Sequence, residues 1–186
     1  MQKQLSFPRV MQWTAIVTLA MTVILALINH FFPREWLPAI AISAATTFYH
    51  FAMRLAVGWV VPKLMRQPRC HRWFLQRSFE PKLYKTLRVK QWKDHMPTYH
   101  PASFSLQENT LEQIVDNCCV SEAVHEVIIL LSFVPLIFAC WWGLFPVFFI
   151  TSVLAAAIDC SFVIIQRYNR PRLIYILSKK EASGRE

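Results

Sequence analysis

Residues 144–172 read LFPVFFITSVLAAAIDCSFVIIQRYNRPR. An apolar run ends at Ile165, and the next seven residues contain three arginines, at positions 167, 170 and 172. A run of this length forms a helix that can cross about 30 Å of hydrocarbon. Arginine costs about 2.5 to 3.5 kcal/mol at the centre of a bilayer and little at its surface, so the arginines mark the point where the helix leaves the membrane. Their guanidinium groups could serve only as a positive anchor, or they could bind an anion through paired hydrogen bonds.

The composition extends this interpretation to the whole chain. Of 186 residues, 55% are hydrophobic, and the mean hydropathy is +0.32. Four apolar blocks each predict a spanning helix, at about residues 10–32, 36–62, 121–142 and 144–165. The first block resembles a signal peptide, but its apolar core is too long and no cleavage motif follows, so we expect it to be retained. We therefore predict an all-α integral membrane protein that forms a single membrane domain over residues 1–186.

The distribution of positive charge predicts the orientation. The net charge is +9, with ten Lys and Arg between Lys63 and Lys93 and six between Arg167 and Arg185. The turn that joins helices one to two carries only Arg34 beside Glu35, and the turn that joins helices three to four carries no charge. The positive-inside rule then places both termini on the cytoplasmic face of the plasma membrane. Nucleic acid could also explain this charge, but anionic membrane lipids explain it without a further assumption, and we expect no nucleic-acid partner.

Residues 63–120 predict a cytoplasmic or interfacial helical segment rather than an independent domain, because they contain no long apolar run. Residues 82–94 predict a basic helix in the headgroup plane. A second helix is expected after Asn109, capped by Asn109 with Glu112 at the third position, and it could continue into the third spanning helix. In the cytoplasmic tail, residues 166–186, we expect a short interfacial helix and a disordered end.

The five cysteines form no C-x-x-C pair and lack the His spacing of a zinc site, so we expect reduced thiols and no metal. Cys118 and Cys119 could be a reactive or lipid-modified pair. They could equally be small buried hydrophobic residues.

Ionisable residues inside the apolar blocks are functional candidates, because hydrocarbon offers them no partner. His50 and Arg54 lie one turn apart on helix two, and Asp159 lies at a matching depth on helix four. A buried Arg54–Asp159 pair is one possibility. The other is that Arg54 reaches lipid phosphate while Asp159 accepts a hydrogen bond from a neighbouring hydroxyl.

Glu122 and His125 share a face at the start of helix three. A carboxylate beside an imidazole can fix its tautomer and raise its basicity, which suits a general base that takes a proton from a hydroxyl. Acidic residues at a helix start also complement the helix dipole, so the spacing leaves a purely structural role open. One His with two Glu is short of ligands for a metal site.

Three motifs lie within about residues 79–176: the string 159–173, the string KQWKDHMP at residues 90–97, and Glu122-x-x-His125 preceded by Cys119. The string 159–173 is similar to the end of the last membrane helix in the glycosyl-4,4'-diaponeurosporenoate acyltransferase family. Residues 90–97 resemble that family's Trp-Lys-Asp-x-Leu-Pro element, and Glu122-x-x-His125 resembles its Glu-x-x-His pair preceded by a cysteine. The chain departs from the family pattern at four positions: Asn117, Val120, Glu126 and Asp159.

The resemblance implies a membrane enzyme of carotenoid biosynthesis that esterifies the sugar of a glycosylated C30 carotenoid acid with a fatty acyl chain. The implied partners are membrane lipids, a lipophilic glycosylated acceptor and an acyl donor, an acyl thioester such as acyl-CoA, with no cofactor. A non-enzymatic membrane scaffold for a lipid or pigment biosynthesis complex is the alternative. No glycine-rich nucleotide loop supports a methyltransferase or reductase.

On this interpretation His125 removes the hydroxyl proton and Glu122 orients its ring. The remaining candidates fall into two groups: Arg167, Asn169, Arg170 and Arg172 for donor or anion binding, and His50, Arg54 and Asp159 as intramembrane support. No nucleophile elbow is present, so direct transfer is favoured over an acyl-enzyme.

Overall fold

The computed structural model describes residues 7–65, 68, 71–98 and 100–183. Within them all regular structure is helical, and four helical stretches are long and apolar enough to cross a membrane. The expected all-α, four-helix membrane architecture is therefore confirmed. The helices are α1 (Phe7–Phe31), α2 (Leu37–Leu64), α3 (Glu80–Thr86), α4 (Val89–Trp92), α5 (Leu111–Leu131), α6 (Ala139–Trp142) and α7 (Phe145–Ser183). Spanning stretches are α1, α2, Leu111–Trp142 and α7.

The chain divides into two compact units. The first comprises Met1–Trp59 and Val127–Ile158, and the second comprises Val60–Glu126 and Asp159–Glu186. In the first unit many large apolar side chains of α1 are exposed, as lipid contact requires. Its threonine hydroxyls donate to carbonyls one turn back, so the helix leaves few polar groups unbonded: Thr14 to Val10, Thr18 to Thr14 and Thr22 to Thr18.

The first unit also contains two of the intramembrane candidates. His50 is buried and its ring meets that of Tyr49 edge to face. The Arg54 guanidinium donates to the His50 carbonyl at 2.9 Å and to the Ala155 carbonyl at 3.2 Å. The Tyr49 hydroxyl donates to the Leu131 carbonyl at 2.8 Å. The Arg54 guanidinium and the Tyr49 hydroxyl therefore hydrogen-bond helix carbonyls. A supporting role for His50 and Arg54 stays a prediction.

The third spanning segment differs from the expected continuous helix over residues 121–142. It begins at Leu111, so the helix expected after Asn109 continues into the third spanning helix, which was one of the expected arrangements. Thr110, not Asn109, caps it: the Gln113 N–H donates to the Thr110 hydroxyl oxygen at 3.3 Å, and the Thr110 N–H donates to the Gln113 side chain at 2.8 Å. Near its other end, Pro135 lies in a 3₁₀ turn, Val134–Phe138, because proline cannot supply the N–H that an α-helix needs.

The basic segment and the tail also differ from expectation. Residues 82–94 do not form one helix, because Arg88 adopts φ 51° and separates α3 from α4. In the tail, α7 continues without a break through Pro171 to Ser183. At 1.5 Å per residue its 39 residues extend about 58 Å, nearly twice the hydrocarbon thickness. The arginine string therefore lies on a continuous helix. A disordered end was expected over residues 183–186, but Ser183 is helical, and residues 184–186 lie outside the described residues.

Candidate active site

The second unit contains a buried group of paired charges. Glu122 on α5 is inaccessible to solvent, and Arg170 on α7 is 1% exposed. The Arg170 guanidinium pairs with Glu122 Oε2 and also donates to the Phe74 carbonyl. The Arg167 Nε lies 2.7 Å from Glu122 Oε1. One carboxylate thus joins both arginines of α7 to α5, and we call Glu80, Glu122, Arg167 and Arg170 the charge cluster.

Glu80, the first residue of α3, completes the charge cluster. Glu80, 2% exposed, pairs with the Arg167 guanidinium, which also donates to the Trp73 carbonyl at 3.0 Å. The Tyr84 hydroxyl donates to Glu80 Oε2 at 2.7 Å. Burial raises the pKa of the Tyr84 hydroxyl, and its hydrogen bond to Glu80 raises the pKa further. Two carboxylates balance two guanidiniums, which offsets much of the cost of burying each charge.

The aromatic residues Trp73 and Phe74 lie beside this cluster. Phe74 is buried, and the Arg170 guanidinium carbon lies 5.3 Å from its ring centroid. The Trp73 indole N–H donates to Glu126 at 2.8 Å, which joins the short 3₁₀ turn Arg72–Phe74 to α5. These contacts fix the segment before α3 against α5 and α7.

A second polar pair lies on the same two helices. His125 Nδ1 on α5 is 2.8 Å from Asp159 Oδ1 on α7. Asp159 is 2% exposed, and the His125 side chain is 21% exposed, so the ring is open on one side. Phe162, one turn along α7, stacks on the imidazole at 4.7 Å with an interplanar angle of 16°. An ionised Asp159 accepts from Nδ1–H, and this tautomer leaves the Nε2 lone pair available as a base.

The structure therefore changes the expected partner of His125. Glu122 was expected to orient the imidazole, but both of its oxygens face arginines, and Asp159 takes the contact with Nδ1. The physical reason is charge: a buried carboxylate is stabilised more by two guanidiniums than by one neutral ring. Glu122 and His125 share a helix face without sharing a partner.

The donor-binding candidates occupy different environments. Arg167 and Arg170 already direct their guanidiniums at carboxylates and carbonyls, an arrangement that favours a structural role over direct binding of a donor anion. Asn169 is half-buried beside them. Arg172 is exposed, and its guanidinium donates to the Tyr168 hydroxyl at 2.7 Å. Of the four candidates, Arg172 is the one best placed to meet a ligand.

Several residues of the site were not predicted from the sequence. Glu80 gave one signal, as an acidic residue in a basic segment directly before Pro81. Trp73, Phe74 and Phe162 gave none, because aromatic residues are frequent throughout the chain. Among the residues that the structure describes, no three His, Cys, Asp or Glu side chains are grouped as a metal site requires.

The cysteine pair lies beside the charge cluster. Cys118 and Cys119 on α5 are both buried, with 2% and 0% exposure. This placement agrees with the interpretation of small buried hydrophobic residues.

Comparison with known proteins agrees with the motifs. Residues 70–179, more than half of the chain, match the family of glycosyl-4,4'-diaponeurosporenoate acyltransferases. The matched range contains the charge cluster and the His125–Asp159 pair. No curated protein and no solved structure matches the chain. The chain belongs to the glycosyl-4,4'-diaponeurosporenoate acyltransferase family.

Proposed function

We propose that this protein is a membrane acyltransferase that moves a fatty acyl group from a thioester to a sugar hydroxyl of a glycosylated isoprenoid, or of a related glycolipid. Family membership supports the reaction class. The observation that carries the assignment of residues is the 2.8 Å contact between His125 Nδ1 and Asp159 on a partly open ring. A base held in one tautomer beside a carboxylate is what alcohol acylation needs.

In the proposed reaction, His125 Nε2 takes the proton of the sugar hydroxyl as the oxygen attacks the thioester carbonyl. The new C–O bond forms, the tetrahedral intermediate collapses, and the C–S bond breaks. The imidazolium then returns its proton to the departing thiolate, so one hydroxyl and one thioester become one ester and one thiol. Asp159 stabilises the imidazolium and keeps Nε2 directed at the substrate.

The charge cluster has a supporting role in this proposal. It joins α5, which carries His125, to α7, which carries Asp159, through the Glu122–Arg170 and Glu122–Arg167 pairs. A misplacement of about 1 Å can cost about a hundredfold in rate. His125 and Asp159, which we call the dyad, lie on two different helices, so these helices need a firm connection.

We further propose that the dyad works near the cytoplasmic face of the plasma membrane. Four apolar helices make this a multi-pass membrane protein, and the positive charge of residues 63–93 and 167–185 supports cytoplasmic termini. A polyene acceptor would arrive through the lipid and a thioester from the cytoplasm. A Trp142→Cys variant in a cysteine-free background should react with an impermeant thiol reagent only from outside; reaction from the cytoplasm would reverse the orientation.

Lipid mass spectrometry tests the proposed reaction in cells. A strain that makes a glycosylated carotenoid acid is compared with and without the wild-type chain, His125→Ala, and a matched control, His30→Ala, at an exposed histidine outside the site and outside the family match. We expect an acyl-glycosyl product with the wild type and the control, and a loss of about 10²- to 10⁴-fold in its initial rate of formation with His125→Ala. Equal product from His125→Ala would remove the catalytic assignment. An unchanged lipid profile with the wild type would favour a scaffold.

A further inference from the structure

An open pocket of about 800 Å³ lies in the second unit, between the α3–α4 segment and the C-terminal part of α7. Four of its lining residues are cationic: Lys85, Arg88, Lys90 and Arg172. None of the described residues that line it is acidic. We call it the basic pocket, and its residues are separate from the charge cluster and from the His125–Asp159 dyad.

The four cations of the basic pocket have no acidic partner among the described residues. Within the described part of the chain, no ion pair joins Lys85, Arg88, Lys90 or Arg172 to a carboxylate. In contrast, the nearby Lys93 pairs with Asp94 at 2.7 Å. Four uncompensated positive charges around one concave space attract an anion strongly, and a concave wall concentrates their field.

Aromatic side chains line the same pocket. The Arg172 guanidinium carbon lies 4.2 Å from the centroid of the Tyr168 ring, and its Nη2 donates to the hydroxyl of that tyrosine at 2.7 Å. Tyr175 also lines the pocket and is 60% exposed. Arg172 is thus held in place beside an open aromatic face. Phosphate groups suit the cations, and a planar base suits the aromatic face.

The backbone at Arg88 is a further sign of a specialised site. Its φ of 51° lies in the left-handed region, which costs a residue with a β-carbon about 1 kcal/mol or more. The Arg88 N–H donates to the Lys85 carbonyl at 3.2 Å, so the turn brings these two cations together at the pocket wall. Glycine or asparagine would adopt this conformation more readily, yet arginine occupies it.

The distance to the dyad restricts the chemistry of the ligand. Arg172 and Asp159 are thirteen positions apart on the continuous helix α7, which corresponds to about 20 Å along its axis. A phosphate held at the pocket therefore cannot be bonded directly to the acyl carbon that reacts at His125. This spacing excludes an acyl phosphate bound in this way and requires a long arm between the phosphate and the acyl group.

We propose that the basic pocket binds the nucleotide phosphates of an acyl thioester donor whose acyl group reaches the dyad on a long flexible arm. This inference rests on the proposed acyl transfer for the identity of the donor. Lys85, Arg88, Lys90 and Arg172 bind the phosphates, and the exposed ring of Tyr175 packs against the base. The donor anion is thus held by cations without carboxylate partners, while Arg167 and Arg170 hold the helices together.

Binding of coenzyme A to the full chain tests the proposal. The protein is placed in phosphatidylcholine nanodiscs and titrated calorimetrically, as the wild type, Arg88→Gln, Lys90→Gln and the double variant. The matched control is Lys82→Gln, which removes the same charge from α3 outside the pocket. We expect the Kd to rise about tenfold for each cation removed and less than twofold for the control, since charge-assisted bonds commonly contribute that much. The rise should shrink at high salt.

Two results would overturn the inference. Coenzyme A that binds the wild type and the double variant equally would show that the phosphates lie elsewhere. A wild type that fails to bind coenzyme A, but binds phosphatidylglycerol vesicles or an acyl carrier protein through Arg88, would assign the pocket to a lipid headgroup or a protein donor.

Ester formation by the same preparations separates this inference from the proposed function. If the wild type forms ester while the pocket variants leave the donor KM unchanged, the pocket inference fails and the transferase proposal stands. If coenzyme A binding depends on Arg88 but no ester forms, the transferase proposal fails and the pocket remains a nucleotide-phosphate site. A raised donor KM at unchanged kcat supports both.

Discussion

Replacement of Glu122 by glutamine tests whether the charge cluster holds the second unit together. Glu122 has no solvent exposure and faces two guanidiniums, with Arg167 Nε at 2.7 Å and Arg170 in direct contact. The glutamine amide keeps the shape but removes the charge, which leaves the half-buried Arg167 and the buried Arg170 with only Glu80 to balance them. Loss of one partner of a buried pair costs about 3 to 5 kcal/mol.

This free energy corresponds to a large change in melting temperature. For a chain of 150 to 250 residues, 1 kcal/mol shifts Tm by about 2 to 4 °C, so Glu122→Gln should lower Tm by about 6 to 20 °C. Glu108→Gln, which removes an equal charge from an exposed loop position, should shift Tm by less than about 2 °C. In the double variant Glu122→Gln with Arg170→Gln, part of the loss should be recovered, because fewer charges remain unbalanced.

The native cysteines supply the assay. Cys118 and Cys119 lie on α5 next to Glu122 and are 2% and 0% exposed, so a thiol-reactive dye reaches them only when the helix packing opens. Dye fluorescence against temperature in detergent micelles, relative to the exposed Cys140 near the end of its spanning segment, reports that opening. An unchanged Tm together with lost activity would refute the structural role and return Glu122 to the chemistry at His125.

Three further outcomes follow from contacts in the second unit. Tyr84→Phe should lower stability by about 1.5 to 3 kcal/mol, the range for bonds to charged groups, because its hydroxyl bonds Glu80. The folded-state pKa of Tyr84 is raised above its ordinary value of about 10. The contribution of the hydroxyl to stability is therefore complete below pH about 10 and is lost as pH rises through the folded-state pKa. Tm–pH profiles of the wild type and of Tyr84→Phe measure this loss. Arg88→Val should cost about 1 to 2 kcal/mol by thermal unfolding, while Arg88→Gly should cost little, because the left-handed φ suits glycine. Asp159→Asn should lower kcat at a nearly unchanged KM and alter the pH–rate profile, which a merely structural carboxylate would not do.

Hydropathy was sufficient to predict the four spanning helices, because a bilayer requires about 20 apolar residues per crossing wherever they pack. Local breaks were harder to predict. Pro135 lies within an apolar run that is long enough to cross the hydrocarbon, so hydropathy alone did not reveal the 3₁₀ turn. Arg88 is not a residue type that marks a left-handed turn. The continuation of α7 past Pro171 was likewise missed, because proline usually ends a helix.

The contacts between the site residues could not be predicted, because they join helices that are distant in the sequence. The sequence identified Glu122 and His125 by their spacing on one helix, and Asp159 as a carboxylate in an apolar run. It could not show that Asp159 meets His125 from 34 positions away, or that Glu122 meets Arg170 from 48 positions away. Helical periodicity gives the face of a residue but not the neighbouring helix that the face meets.

Ester formation by purified protein tests the account most directly. The wild type, His125→Ala and Asp159→Asn, each in nanodiscs and shown to be folded, are given a glycosylated carotenoid acid and a radiolabelled acyl-CoA, and the labelled acyl-glycosyl ester is counted. We expect ester with the wild type and a fall in initial rate of about 10²- to 10⁴-fold with His125→Ala. Ester formation by His125→Ala at the wild-type rate would contradict the central claim.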